Sequence, residues 1–383
     1  MRVLYLIDSL VAGGAEVSLA AMAPHLVAGG IDLEVATLHE RPGVQDELVA
    51  AGVPLHQLTG PGGRVGWAWR AQRLIGDRRP DLVHTTLFEA DVAGRVAASL
   101  RRVRVVSSLV NVAYGPEQLA GLGAAATARL RAAQLVDGLT AHRVVRFHAI
   151  SAHVADVMSQ RLRLPRTRVE VVPRGRDPRD LGTRSPGRRA RARAAIGVDE
   201  RTPLILAAAR QEHQKGLDVL LEAVPAVLEQ VPAATVVIAG RPGNQTPLLR
   251  AVTARLGLEG AVRFLGARED VAELLCAADV FVVPSRWEGL GSVLLEAMAL
   301  EAPIVASDLP AVREIICVSD VALLAPPGRP SALAAAIAAT LGDGTAAAAR
   351  ASSARARFLA EYTMERVAVK MLRFYDHALS VAR

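Results

Sequence analysis

The stretch PSRWEGLGSVLLEAMALEAP, Pro284 to Pro303, decides how this chain is read. An apolar run, Val280 to Val283, feeds into it; a turn with Gly289 and Gly291 follows; the spacing then predicts a helix over about Gly291 to Leu300. In a strand, glycine turn and helix of this kind, backbone N–H groups can approach an anion closely, and the helix dipole favours negative charge there. Two carboxylates bracket the turn, Glu288 just before the helix and Glu296 within it. At about 1.5 Å per residue, Glu296 lies roughly 6–8 Å along the axis from the helix start. That reach suits the hydroxyls of a sugar joined to the anion rather than the anion itself. The stretch reads as a nucleotide-sugar site. The plain alternative is an ordinary βα unit of a parallel sheet with a surface glutamate on its helix.

Within it, EGLGSVLLEAMA resembles the Glu-x7-Glu motif of retaining GT-B glycosyltransferases, specifically glycosyltransferase family 4 (group 1 type). Glu288 and Glu296 have seven residues between them, Pro-Ser precedes the motif, and Ala-Pro-Ile-Val-Ala follows it. The resemblance is strong from Leu204 to about Ile316 and weaker in the first half. It implies an α/β GT-B fold: two Rossmann-like doubly wound domains facing an interdomain cleft, with a C-terminal helix crossing back to the first. The domains expected are 1–180 for the acceptor, 181–362 for the donor, and 363–383 for the returning helix.

The same resemblance implies the roles. The donor diphosphate would lie between the Gly13–Gly14 loop and the turn of Gly289, Leu290, Gly291 and Ser292. Glu296 would bind the ribose, and Glu288 the transferred sugar, orienting its anomeric carbon. Arg210 and Lys215 sit where a strand ends and a helix begins, and would neutralise the leaving group. Lys215 is informative because only it and Lys370 are lysines; arginine supplies every other fixed cation. The reaction implied is front-face substitution, the departing phosphate helping to take the acceptor proton. No Asp-x-Asp metal site is found, Glu89-Ala90-Asp91 reading as a helix start, so neither metal nor other cofactor is expected. Two rival readings are an epimerase of the same architecture, which would convert donor without acceptor, and a non-catalytic nucleotide-sugar-binding module.

At 383 residues, the chain suits two domains with their own cores, and 51% apolar residues argue against disorder. The net charge of +7 would allow nucleic acid or anionic lipid, but 3% aromatic residues leave little to stack on bases, so no nucleic-acid partner is expected. Cys276 and Cys317 read as reduced core thiols. Asp8 interrupts the first apolar run too early for a signal peptide, and no uncharged run is long enough to span a bilayer. A cytoplasmic location is expected. Two basic, partly apolar segments, Arg64–Arg79 with Trp67 and Trp69, and Leu119–Arg146, offer peripheral contact with the inner face of the membrane; a packed surface helix is the plainer reading.

Strands are predicted near Val3–Ile7, Leu33–Leu38, Val53–Leu58, Leu82–His84, Arg104–Leu109 and Val169–Val172, alternating with helices. His84 and Asn111 stand at strand ends, where such sheets place functional loops; His84 also resembles the histidine of an Asp-x-x-His pattern that relatives of the family carry on the acceptor side, and a packed or capping histidine is an equally good reading. Where relatives of the family often carry Thr-x-His, this chain has Val110, leaving Ser108 or Asn111 as polar substitutes on the acceptor side. The Pro-, Gly- and Arg-rich run from Pro173 to Gly197 reads as a solvated linker. A second set of strands is predicted near Pro203–Ala208, Thr235–Ala239, Val262–Leu265, Val280–Val283, Ile304–Ala306 and Val321–Leu324. The donor expected is a UDP- or GDP-sugar, and the acceptor hydroxyl is not identified.

Overall fold

The computed structural model describes residues 1–119, 122–316 and 320–381. The chain divides into two compact units, one of residues 1–175 with 364–383, the other of residues 176–363.

In the first unit, seven strands form one sheet: β1 (Arg2–Ile7), β2 (Asp32–Thr37), β3 (Leu55–Gln57), β4 (Leu82–Thr86), β5 (Arg104–Leu109), β6 (Arg146–Ala149) and β7 (Val169–Val171). Their order is β3-β2-β1-β4-β5-β6-β7, every neighbour parallel. A parallel sheet needs crossover helices on both faces, so its strands are unbroken apolar runs. β1 shows this beyond Arg2; β4 is buried throughout even though His84, Thr85 and Thr86 make up most of it. β6 was not anticipated. Its four residues, RFHA, carry two polar side chains and follow the helix Ala124–Ala141 closely, so no apolar run marks them.

The second unit repeats the plan with six strands: β8 (Leu204–Ala208), β9 (Thr235–Ala239), β10 (Val262–Gly266), β11 (Val280–Val283), β12 (Ile304–Ser307) and β13 (Leu323–Ala325). The order is β10-β9-β8-β11-β12-β13, again all parallel. The chain builds outward from β8 on one side, then returns to start β11 on the other. The β8–β11 gap is thus a topological switch point, where open α/β sheets bind ligands at the strand C-termini.

The last helix, Met364–Ser380, belongs to the first unit, as expected. Met364, Val367, Met371, Phe374 and Tyr375 recur at helical spacing and bury against Leu19, Leu26 and their neighbours. Phe374 contributes roughly 1.5–3 kcal/mol by burial alone.

The run read as a solvated linker does hold the change of unit, at 175/176, but its second half is structured. It forms the helix Pro186–Ala195, whose arginines grip the second unit. Arg193 is 1% exposed; it donates to the carbonyls of Ala277, Asp199 and Thr202 and to Asp279. Arg188 forks onto Glu273, and Arg184 onto the carbonyls of Glu301 and Ala278. Cys276 is buried and unpaired, as expected; Cys317 lies outside the described residues. No single described helix is long and apolar enough to cross a membrane.

Candidate donor site and acceptor-side residues

The switch point of the second unit gathers most of the residues predicted for the donor. β8 runs through Ala209 and Arg210 into a short turn, His213–Lys215, and then the helix Leu217–Gln230. β11 runs through Pro284 and Ser285 into the loop carrying Glu288 and then the helix Ser292–Ala299. Each helix is opened by a left-handed glycine, Gly216 at φ +60° and Gly291 at φ +79°, and neither has a side-chain cap. Gly216 has a second constraint: a Cβ there would lie 2.1 Å from the Pro284 carbonyl oxygen. That close approach holds the two loops together. The helix starts at the switch point therefore lack a capping side chain at their N-cap residues, an arrangement that favours an anion.

Between the loops, Lys215 Nζ donates to Glu288 Oε1 at 2.6 Å, and Ser285 Oγ donates to the same oxygen at 2.7 Å. Glu288 is 6% exposed. The other donors of Lys215 take no partner among the described residues, so the ammonium is held in place but not used up. Arg286 locks the assembly by donating to both Asp218 oxygens, at 2.8 and 2.6 Å, and to the His213 carbonyl at 2.9 Å. The Arg286 fork holds the Asp218 carboxyl below the usual range despite its burial. Arg210 is exposed. Leu290 is buried under the turn.

Glu296 takes a partner that the sequence reading missed. Its Oε1 accepts from Arg176 Nε at 2.8 Å, and Arg176 is tethered by its own N–H to the Tyr362 carbonyl at 3.0 Å. Ser285 and Arg286 were likewise not singled out, although both stand inside the quoted stretch. Nothing in their own spacing shows that they reach Glu288 and Asp218.

In the first unit, the structure moves two of the three acceptor-side candidates into the core. His84 and Ser108 are 1% and 4% exposed; Asn111 is exposed, its Oδ1 accepting from the Val112 N–H. His84 and Ser108 belong to one hydrogen-bonded line whose direction is determined by its far end. The Val172 carbonyl can only accept, so His148 donates to it from Nε2 at 2.8 Å and must accept at Nδ1. Ser108 therefore donates to His148 Nδ1 at 2.8 Å and accepts from His84 Nε2 at 2.7 Å. Tyr375 then donates to His84 Nδ1 at 2.8 Å. Burial, with His148 close by, holds His84 well below the ordinary histidine value; burial brings His148 down to about 4. The cavity beside this line is about 40 Å³, room for a water but not for an acceptor. His84 is a packed histidine.

Gly13 and Gly14 open the helix Gly14–Ala28 and are closely packed: a Cβ on Gly14 would lie 2.4 Å from an Arg174 nitrogen, and one on Gly13 2.5 Å from a Glu16 oxygen. At the end of β1 stands Asp8, which the sequence reading used only against a signal peptide. It accepts from the Ala90 N–H at 2.7 Å, and burial, with the charges of Asp91 and Glu89, pushes its carboxyl up to about 7. Beside it, Leu87 takes a strained φ of +76° at the start of the helix Phe88–Arg101.

The geometry agrees with likenesses to known proteins. Residues 12–180 match the family model described as Glycosyltransferase Family 4, and residues 202–343 the one described as Glycosyl transferases group 1. The chain is similar to the lipopolysaccharide core biosynthesis mannosyltransferase LpsB of Rhizobium meliloti, at 33% identity over 34% of this chain and 38% of that protein. It is also similar to the phosphatidyl-myo-inositol mannosyltransferase of Mycobacterium leprae, at 36% identity over 43% of this chain and 44% of that protein. The matched stretches thus span under half of these relatives. In structure it is similar to Anabaena HepE in complex with UDP, with a TM-score of 0.85 at 23% identity over 98% of this chain and all of that one, a likeness of fold. The chain is built as a GT-B fold whose first half matches the glycosyltransferase family 4 model and whose second half matches the glycosyltransferase group 1 model.

Proposed function

We propose that this protein transfers a sugar, with retention and without a metal, from a nucleoside diphosphate sugar to an acceptor hydroxyl in glycolipid or polysaccharide synthesis. One observation carries the reading: Lys215, held by buried Glu288, stands between two uncapped helix starts at the switch point of the second unit. In this reading, the helix N–H groups with Lys215 and Arg210 take the diphosphate and stabilise charge on the leaving group. Glu288 receives hydroxyls of the transferred sugar, and Glu296, braced by Arg176, those of the ribose. The departing phosphate helps take the acceptor proton, and no side chain is assigned as a separate base. Support for metal independence is that Lys215 and Arg210 stand at the switch point with the positive charge that a divalent cation would otherwise bring to the diphosphate. A uridine or guanosine donor is suggested by HepE bound to UDP and by a relative named as GDP-mannose-dependent.

The reading includes a cytoplasmic location at the inner face of the membrane. The helix Ala124–Ala141 supports this by exposing Leu135 and Leu139, at 65% and 63%, among Arg129 and Arg131, while its one acid, Asp137, is buried against Arg95. Flotation with anionic but not neutral vesicles, lost in Leu135→Ser/Leu139→Ser, tests it.

The test of the donor site is calorimetric titration of the full chain with UDP, GDP, ADP and TDP in excess chelator. One diphosphate should bind selectively and lose at least tenfold in affinity in Lys215→Ala. Binding by none of the four would overturn the reading.

A further inference from the structure

The first unit carries a pocket that no residue discussed so far explains. It measures about 310 Å³ and opens at the C-terminal ends of β2 and β3, where Thr37 and Gln57 end their strands. This is the edge at which an open parallel sheet presents ligands, and the volume is at the lower end of ligand pockets, about 300–1,000 Å³.

Its loop has a defined shape. Gly43 can only be glycine, since a Cβ would lie 1.8 Å from the Leu10 carbonyl oxygen. Val44 donates to that same oxygen at 2.9 Å, and His39 donates from its backbone to Asp8 at 2.8 Å. Trp67 meets the His39 ring edge to face, with centroids 4.9 Å apart at 82°. Gln45 accepts from the Gly43 N–H at 2.6 Å, which leaves its amide N–H groups as donors. His56 is pinned through Nε2 to Glu34 at 2.6 Å.

The lining is chemically mixed. His39, Gln45, His56 and Gln57 offer donors and acceptors together; Glu40 and Arg41 add one charge of each sign; Leu10 and Leu55 add apolar surface. Glu40 and Arg41 are exposed and make no ion pair among the described residues. A phosphate or other polyanion asks for several converging cations. A ring carrying several hydroxyls, each both donating and accepting, asks for alternating partners and some apolar surface for its C–H face.

We propose that this pocket receives a sugar ring of the acceptor, which makes the acceptor a carbohydrate or a carbohydrate-bearing lipid. The inference rests on the glycosyl-transfer reading above.

The experiment is saturation-transfer NMR on the full chain with the methyl pyranosides of glucose, galactose, mannose and N-acetylglucosamine, and with inorganic phosphate as a competitor. Nucleotide binding is measured by calorimetry on the same samples. At least one methyl pyranoside should give a signal that phosphate does not displace. That signal should fall at least fivefold in Glu40→Gln/Gln57→Ala, both solvent-facing positions, with nucleotide affinity and melting temperature unchanged. No pyranoside signal, displacement by phosphate, or an undiminished signal in the variant overturns the proposal. Loss of nucleotide binding in the parent would strike the donor reading instead, so the two failures are told apart.

Discussion

Lys215 and Glu288 can each be removed, and the outcome separates a structural pair from a working site. At 2.6 Å and an effective dielectric constant near 20, the pair attracts with roughly 6 kcal/mol before desolvation. Drawing both ions partly out of water offsets much of that, which leaves a net coupling of about 2–3 kcal/mol. Lys215→Met strands a carboxylate that is 6% exposed with only the Ser285 hydroxyl on its bonded oxygen, and should cost about 3 kcal/mol. Glu288→Gln should cost about 2 kcal/mol, and the double variant also about 2, well short of the sum. Urea unfolding of the four proteins reads these values. Nucleotide binding should follow another pattern. A charge-assisted bond to the diphosphate is worth about 1.5–3 kcal/mol, or roughly 10- to 150-fold in affinity, and the double variant should not recover it. Losses of stability well short of additive, with binding still lost, are the signature of an ammonium that serves the ligand. Additive losses of stability, or recovered binding in the double variant, would refute the argument.

Three further outcomes are expected. Because His148 is depressed to about 4 from 6.5, its contribution to stability is present above pH 6.5 and is lost as pH falls towards 4. Between pH 7.5 and 4.5 this is about 2.5 kcal/mol, and His148→Gln should show that much less acid destabilisation than the parent in paired urea titrations; equal slopes refute it. The comparison must be with the variant, since the raised carboxyl of Asp8 gains protons on folding over part of the same range and so acts in the opposite direction. Gly216→Ala, at φ +60° and 2.1 Å from the Pro284 oxygen, should destabilise the second unit by about 2–4 kcal/mol by calorimetry and weaken nucleotide binding. Arg193→Ala should cost about 3–5 kcal/mol by urea unfolding, where a solvated linker arginine would cost under about 0.5.

That last contrast shows where the amino-acid sequence was legible. β5, β9 and β11 lie within a residue of their predicted bounds, because a strand buried on both faces is an unbroken apolar run between turn residues. Gly291 was legible for a similar local reason: a helix start after a parallel strand needs a backbone that takes positive φ, and Gly291 supplies it, as the structure shows Gly216 doing at the other helix. What a charge pairs with is not local. The arginines of Pro186–Ala195 look solvated until Glu273 and Asp279, 85 and 86 residues downstream, fold beneath them. Lys215 and Glu288 were each picked out by type and position, yet their contact spans 73 residues, and Glu296 meets Arg176 across 120. His84 carries the lesson furthest. A histidine at a strand end resembles a functional residue, but its ring is committed to Tyr375, 291 residues away, and to Ser108, and its burial keeps it neutral. The line from Tyr375 to the Val172 carbonyl uses each histidine nitrogen once, so no lone pair or proton of His84 or His148 is left for an acceptor. On the proposed transfer reading, acceptor recognition in the first unit would then come from groups not consumed by the core. At the open ends of β2 and β3, Glu40, Arg41 and Gln57 meet that condition, and it is there that substitutions should change which acceptor is taken while nucleotide binding stays constant.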